Sequence, residues 1–361
     1  MKKILVSAYD HKNFGDDLFL KILFDKYKDI EWVLETSVKQ YGDIFSKYNN
    51  VKIEFNIFYR ILRKLKLLKI LRNRRYFDRY DALIFIGGSI FMQLPEWKLQ
   101  LEERIDTIEK FNYNSKKIFI VGANFGPYKD KEFYEAYYKL FKKCDDVCLR
   151  DKYSYELFQG LENVRLAPDI VFQLDKSGVQ KIENSIGISL INIEDREGLK
   201  EFNSIYINKM SVMVERLIIN KKKVTFFSFC EDQGDKKIID KIIKNINPQY
   251  VKKINIVNYE GNIEEFLVKF GSMENIIGSR FHACILSQVF EQGLYPLIYS
   301  DKTYNALKDI ELDKEYTYIN KINELDIDNL IEKINNNKVR DKSIFKEAQK
   351  QFDRIDEYVS K

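Results

Sequence analysis

The chain has 361 residues, 45% of them hydrophobic and 32% charged, with only 5 prolines and 15 glycines. Collagen-like, mucin-like and disordered polymers are excluded, because so much apolar side chain offsets its ordering entropy by burial. The 60 Lys and Arg against 55 Asp and Glu leave a formal charge of +5, too even a balance for a general nucleic-acid binder.

In chain order, Ile4–Ala8 reads as a buried strand and Leu18–Tyr27 as the helix after it. The turn between them holds Asn13-Phe14-Gly15-Asp16-Asp17, where glycine permits a tight bend and carboxylates suit a helix N-terminus. A run from Arg60 to Arg79 carries nine Lys and Arg, with leucines at helical spacing and no acid between Phe55 and Phe77. It is expected to be a basic amphipathic helix over 58–79, either docking on anionic lipid or packing its leucines on the first domain. Ala82–Ile86 ends in Gly87-Gly88, Ile118–Val121 ends at Gly122, and Val147–Leu149 ends at Arg150. Uninterrupted apolar strands that stop at a loop and alternate with helices indicate parallel sheets covered on both faces.

A polar stretch from Asp175 to Asn184 interrupts this rhythm, which restarts at Ile186–Leu190 and continues through Lys223–Phe229, Ile254–Val257, Asn275–Ile277 and Leu297–Tyr299. The expected division is a first domain over 1–178, a second over 179–326 and a C-terminal helical segment over 327–361, with one amphipathic helix spanning about Asp328 to Tyr358. The expected fold class is α/β, with two Rossmann-like, doubly wound domains facing a cleft. Ligand chemistry belongs at the carboxyl ends of such strands.

The four cysteines read as buried thiols, and no His or Cys cluster marks a metal site. The apolar run at the N-terminus is too short for a signal peptide, and the longest uncharged stretch, Ala82–Pro95, is too short for a membrane span. The expected setting is cytoplasmic and reducing, with a peripheral position on the inner face of the membrane if the basic segment docks there.

Four segments can carry chemistry. Gly278-Ser279-Arg280-Phe281-His282 follows a strand and enters an apolar helix, and it holds one of only two histidines. Backbone N–H groups and the helix dipole favour an anion at such a turn. An arginine grips carboxylate or phosphate with two bonds, and a histidine supplies a proton near neutral pH. The alternative is a core histidine beside an arginine that caps carbonyls. Arg150-Asp151-Lys152-Tyr153-Ser154 opens a helix in the same way, Arg150 being either an anion ligand or an ion-pair partner. The Asn13–Asp17 turn and Tyr299-Ser300-Asp301-Lys302 complete the set, the bland readings there being a helix cap and a solvated lysine.

Together these segments, in order and spacing, resemble the polysaccharide pyruvyltransferase family over nearly the whole chain. The matching marks are Asn13-Phe14-Gly15-Asp16-Asp17, Gly87-Gly88-Ser89, Gly122–Pro127, Arg150-Asp151-Lys152-Tyr153-Ser154, Pro168-Asp169, Gly278–His282 and Tyr299–Lys302. Ser89 stands where the family's turn has a third glycine, and Phe281 where it usually has leucine. The resemblance implies a transferase that takes phosphoenolpyruvate as donor and forms a pyruvate ketal on two sugar hydroxyls, with no cofactor and no metal. It implies Arg150, Arg280, His282 and Lys302 as ligands of the anionic donor, with His282 and Arg280 catalytic. Asn13, Gly15, Asp16, Asp17, Gly87 and Gly88 fall on the acceptor or cleft loops. The partners implied are phosphoenolpyruvate and a sugar or lipid-linked oligosaccharide of a cell-surface or capsular polysaccharide, and no nucleic acid. Two other readings stand beside this one: a GT-B glycosyltransferase using a nucleotide sugar, and a non-catalytic glycan-binding subunit.

Overall fold

A computed structural model describes residues 1–9, 11–36, 41–55, 74–176, 178–338 and 341–361. Its central strands are the apolar runs of the sequence, and burial explains why they contain no alternation: β4 (Ala82–Ile86) is buried at every position. A strand covered by helices on both faces has no side on which a polar residue reaches water.

The first sheet contains β1 (Lys3–Ala8), β2 (Glu31–Thr36), β3 (Val51–Phe55), β4, β5 (Lys117–Ala123), β6 (Asp146–Leu149) and β7 (Val164–Leu166), all parallel, in the order β3-β2-β1-β4-β5-β6-β7. The second contains β8 (Ile182–Ser189), β9 (Lys223–Ser228), β10 (Ile254–Asn258), β11 (Met273–Gly278), β12 (Gly293–Ile298) and the short β13 (Thr317–Tyr318), again parallel, in the order β10-β9-β8-β11-β12-β13. Each sheet reverses its winding once, between β1 and β4 in the first and between β8 and β11 in the second. Loops at the carboxyl ends of those strand pairs are splayed apart, which is where Rossmann-like folds take ligands.

The first compact unit comprises 1–11, 18–173 and 343–361, and the second comprises 12–17 and 174–342. The passage from one to the other falls at Gln173/Leu174, at the start of the polar stretch seen in the sequence. The Asn13–Asp17 turn, expected within the first domain, packs with the second unit because Phe14 donates its backbone N–H to Phe229 O at 3.0 Å and its ring meets Phe229 and Tyr259 edge-on and Phe266 at a tilt.

The expected single helix over Asp328–Tyr358 is corrected to separate pieces: Ile327–Lys333, Ser343–Glu347, a 3₁₀ turn Ala348–Phe352 and Asp353–Val359. Three consecutive asparagines, Asn335 to Asn337, are poor helix formers. The last is fully buried, donating to Leu294 O at 3.3 Å and accepting from Lys314 N at 3.2 Å, so tertiary bonding ends the helix there. Residues 343–361 then pack on the first sheet. The buried Gln351 accepts from Gly122 N at 2.8 Å and donates to Ala167 O at 2.8 Å.

The basic helix expected over 58–79 falls largely outside the described residues, which resume at Arg74. Its far end is held in the fold: Arg79 pairs with Glu54 at 2.6 Å and lies 4.2 Å from the centre of the Tyr76 ring. The four cysteines are free and buried, and burial raises the Cys148 and Cys284 thiols to about 12 and Cys230 to about 11. Among the described residues no helix is long and apolar enough to cross a membrane.

Candidate functional site

In the second unit, β11 ends at Gly278 and the helix Phe281–Val289 begins three residues later, with Arg280 at its N-cap in extended conformation. The tight strand-to-helix turn sets Arg280 and His282 at the carboxyl end of the sheet beside the winding switch. Arg280 is held on one side by the fully buried Asp235, the first residue of the helix Asp235–Asn245. The Arg280 Nε donates to Asp235 Oδ1 and Oδ2 at 3.1 and 3.0 Å, Nη2 adds a further bond to the same carboxylate, and Nη1 donates to Gln233 Oε1. Asp235 Oδ2 also accepts from Phe229 N at 3.0 Å and Cys230 N at 3.1 Å. Burial opposes the Arg280 charge, but the Asp235 field and hydrogen bonds outweigh it and raise the guanidinium above its ordinary value.

His282 lies against the backbone of the Asn13–Asp17 turn. A Cβ added at Gly15 would stand 1.9 Å from His282 Nδ1 and 2.5 Å from Cε1 and Cγ, so only glycine lets the ring sit there. The turn itself is braced: Gly15 N donates to Asn13 Oδ1 at 3.1 Å, and Asp17 N donates to Asn13 O at 2.9 Å. Asn13 therefore caps the helix Phe14–Lys26. Asp17 is fully buried and accepts from the Tyr259 hydroxyl at 2.5 Å. Burial, then the Asp17 charge, push the Tyr259 phenol far above its ordinary range. Asp17 thus braces the turn, while its neighbour Asp16 is only partly buried.

Lys302 lies in the first turn of the helix Asp301–Lys308, capped by Ser300 at the carboxyl end of β12, the strand paired with β11. Arg280, His282 and Lys302 therefore rise from adjacent parallel strands at the same edge of one sheet.

The motif residues of the first unit form their own network. Arg150 follows β6 and is nearly buried, donating to Asp169 Oδ2 at 2.7 Å and to Asn124 Oδ1 at 2.8 Å. Burial pushes the Asp169 carboxyl up, against the pull of Arg150. Asn124 N donates to Gly88 O at 2.8 Å, and a Cβ at Gly88 would come 2.5 Å from Arg150 Nη2. Gly87 carries a φ of 143°, which glycine alone adopts freely. The Asp151 and Ser154 of the motif are structural. Asp151 accepts from Ser154 N at 2.8 Å to cap the helix Lys152–Phe158, and Ser154 Oγ accepts from Phe125 N at 2.8 Å.

Sequence reasoning missed Asp235, Asp169's bond to Arg150, and Tyr259. Asp235 had one local signal, an acid in the first turn of an amphipathic helix after a strand, which capping explains equally well. Among the described residues, no three His, Cys, Asp or Glu side chains gather as a metal-binding group.

Among solved structures, this fold is similar to HepE from Anabaena in complex with UDP-glucose, 9% identical, TM-score 0.60, covering 100% of this chain and 99% of that one. It is also similar to UDP-GlcNAc 2-epimerase from Methanocaldococcus jannaschii, 12% identical, TM-score 0.64, covering 99% and 100%. These likenesses carry the two-domain Rossmann-like fold. In sequence, the chain is 24% identical over 259 residues to the amylovoran biosynthesis protein AmsJ of Erwinia amylovora, a match spanning 65% of this chain and 60% of that relative. The family model for polysaccharide pyruvyl transferase matches residues 13–291, from the Asn13 turn through the Arg280 and His282 motif. On that match over most of its length, the chain belongs to the polysaccharide pyruvyl transferase family.

Proposed function

We propose that this protein transfers a pyruvyl group from phosphoenolpyruvate to two hydroxyls of a sugar in a cell-surface or capsular polysaccharide precursor, closing a cyclic ketal. The observation that carries the reading is the pairing of His282, seated on the Gly15 backbone, with Arg280, clamped by buried Asp235, at the switch point of a Rossmann-like sheet. AmsJ, named for amylovoran biosynthesis, supports a polysaccharide as the product.

The donor is a small trianion, and burying it requires cations around it. Arg280 and Lys302 are assigned to its carboxylate and phosphate, and the family motif adds Arg150. His282 delivers a proton to the methylene carbon, so CH2 becomes CH3 and the adjacent carbon becomes electrophilic. One hydroxyl adds to that carbon, phosphate leaves, and the second hydroxyl closes the ketal. Of the two hydroxyl protons released, one restores the acid and the other departs with phosphate. Asp16 is assigned to take the proton of the attacking hydroxyl and hand it on to the departing phosphate, which restores the carboxylate. If the acceptor is lipid-linked, the segment from Arg60 to Arg79 docks on anionic lipid, which co-sedimentation with anionic vesicles at low salt tests.

The test of the main reading is phosphate release from phosphoenolpyruvate with capsular or lipid-linked oligosaccharide fragments. His282→Ala and Arg280→Ala are each expected to lose about 10²–10⁴ in turnover. Near-normal turnover in His282→Ala, with an unchanged circular dichroism spectrum, removes that residue from the mechanism. A second reading, glycosyl transfer from a nucleotide sugar, is favoured by the likeness to HepE solved with UDP-glucose. Thermal stabilisation by UDP-glucose and not by phosphoenolpyruvate selects it.

A further inference from the structure

Arg196 lies outside every motif that resembles the family. It lies in the loop that follows β8, at the same edge of the second sheet as Arg280 and Tyr299. Its guanidinium carbon stands 4.8 Å from the centre of the Tyr299 ring, and its Nε donates to Asn192 O at 3.1 Å. Among the described residues no carboxylate pairs with it. Glu194, two residues before, is taken by Lys237 at 2.7 Å and Lys241 at 2.9 Å. Asp235 lies within electrostatic reach, but its two oxygens are already shared among Arg280, Phe229 N and Cys230 N. Arg280 also lies within electrostatic reach of Arg196, while the Asp235 carboxylate is bonded to Arg280 alone of the two guanidiniums.

That arrangement is unfavourable as it stands. Burial pulls Arg196 below its ordinary value, and the neighbouring Arg280 charge acts in the same direction. A guanidinium over an aromatic ring is attracted to its face and keeps its N–H groups for other partners. With Nε committed to Asn192, the edge that remains is the one that grips an oxyanion through two parallel bonds. Phosphate is the oxyanion that Rossmann-like sheets take at the carboxyl ends flanking a winding switch.

We propose that Arg196, stacked on Tyr299, is a phosphate ligand of the donor site in the second domain, the cation that the Arg280–Asp235 pair leaves unmatched. As a donor ligand it deepens the pyruvyl-transfer reading and rests on it, but binding of inorganic phosphate can be measured without that reading. Arg196 binds the phosphate group, and Tyr299 orients Arg196.

The experiment compares wild type with Arg196→Gln and Arg196→Lys. Titration calorimetry with inorganic phosphate, and with pyruvate as the carboxylate probe, is run beside steady-state kinetics with phosphoenolpyruvate. Arg196→Gln is expected to weaken phosphate about 10- to 100-fold and to raise KM for phosphoenolpyruvate by a similar factor, with kcat changing much less. Pyruvate binding should be unchanged. Arg196→Lys, which keeps charge but loses the fork and the stack, should recover only part of the loss. It also serves if the glutamine variant does not fold. Equal phosphate affinity in wild type and the variants overturns the inference, as does loss of pyruvate binding in place of phosphate. Phosphate binding that depends on Arg196, without turnover of phosphoenolpyruvate on any glycan, upholds the anion site and sinks the pyruvyl-transfer reading. Turnover with unaltered KM in Arg196→Gln does the reverse.

Discussion

Gly15→Ala adds one carbon where the His282 ring lies against the Asn13–Asp17 turn. The added methyl would stand 1.9 Å from His282 Nδ1 and 2.5 Å from two ring carbons. Ordinary contacts of this kind lie near 3.4 Å or beyond, so the imidazole must withdraw by roughly 1.5 Å or the turn must open. The turn is the stiffer partner, because Asn13 caps it, Phe14 anchors it to Phe229 O and Asp17 is bonded to Tyr259. The ring therefore moves. A displacement of about 1 Å at a reacting group costs on the order of 10²-fold in rate, near 2.7 kcal/mol of barrier. Stability should fall by only about 1 kcal/mol, the scale of an off-rotamer side chain. With only His11 and His282 in the chain, the imidazole can be watched directly. In a ¹H–¹³C spectrum assigned with His11→Asn, the His282 signal should shift in Gly15→Ala and respond less to phosphoenolpyruvate. An unmoved signal with unaltered phosphate release would refute the steric argument.

Three further outcomes follow from pairs elsewhere. Asp235→Asn keeps the shape but leaves the Arg280 guanidinium without its counter-charge. Breaking a buried pair by removing one partner costs about 3–5 kcal/mol, so the urea midpoint should fall together with turnover, and a loss below about 1 kcal/mol would show that Arg280 finds another partner. Gln351→Ala removes the amide that ties Gly122 N to Ala167 O. Leaving those buried groups unsatisfied costs about 1–3 kcal/mol, measurable as a lower denaturant midpoint. Glu194, lowered to about 2 by hydrogen bonds from Lys237 and Lys241, is ionised in the folded state at pH values where the unfolded chain already takes up the proton. Its contribution is complete above the ordinary value of 4.5 and is lost as pH falls toward 2. Glu194→Gln should flatten the fall of Tm across that window, and added salt should weaken the effect in wild type.

What the sequence made legible was decided by where the cause of each feature lies along the chain. The strands at the sheet centres are short apolar runs because both faces are covered, so burial writes itself into consecutive residues. β2 and β3 escaped because they sit toward the sheet edge and carry Glu31, Glu35, Lys52 and Glu54 among their apolar positions. The last helix was misjudged because its amphipathic rhythm runs on past Asn335–Asn337, while the break is made by bonds from Asn337 to Leu294 and Lys314. The same distinction divides the site. Arg280 and His282 were found because a strand-turn-helix places them two residues apart. Their supports were not, because Asp235 is 45 positions from Arg280 and Tyr259 is 242 from Asp17.

Those supports also alter how the motif arginines act. Arg150 is bound to Asp169 and Arg280 to Asp235, each acid being almost fully buried. A guanidinium matched by a carboxylate adds little net charge for an anion, yet it is fixed in place before the ligand arrives. Fixed N–H dipoles in a dry setting stabilise developing charge without reorganising. The paired arginines are therefore suited to geometry more than to attraction. Attraction must come from cations lacking such a partner, and Arg196, set over the Tyr299 ring with no carboxylate paired to it among the described residues, meets that condition. On the proposed reading, Arg280 orients the anion and Arg196, brought beside it only when the loop after β8 is folded, attracts it.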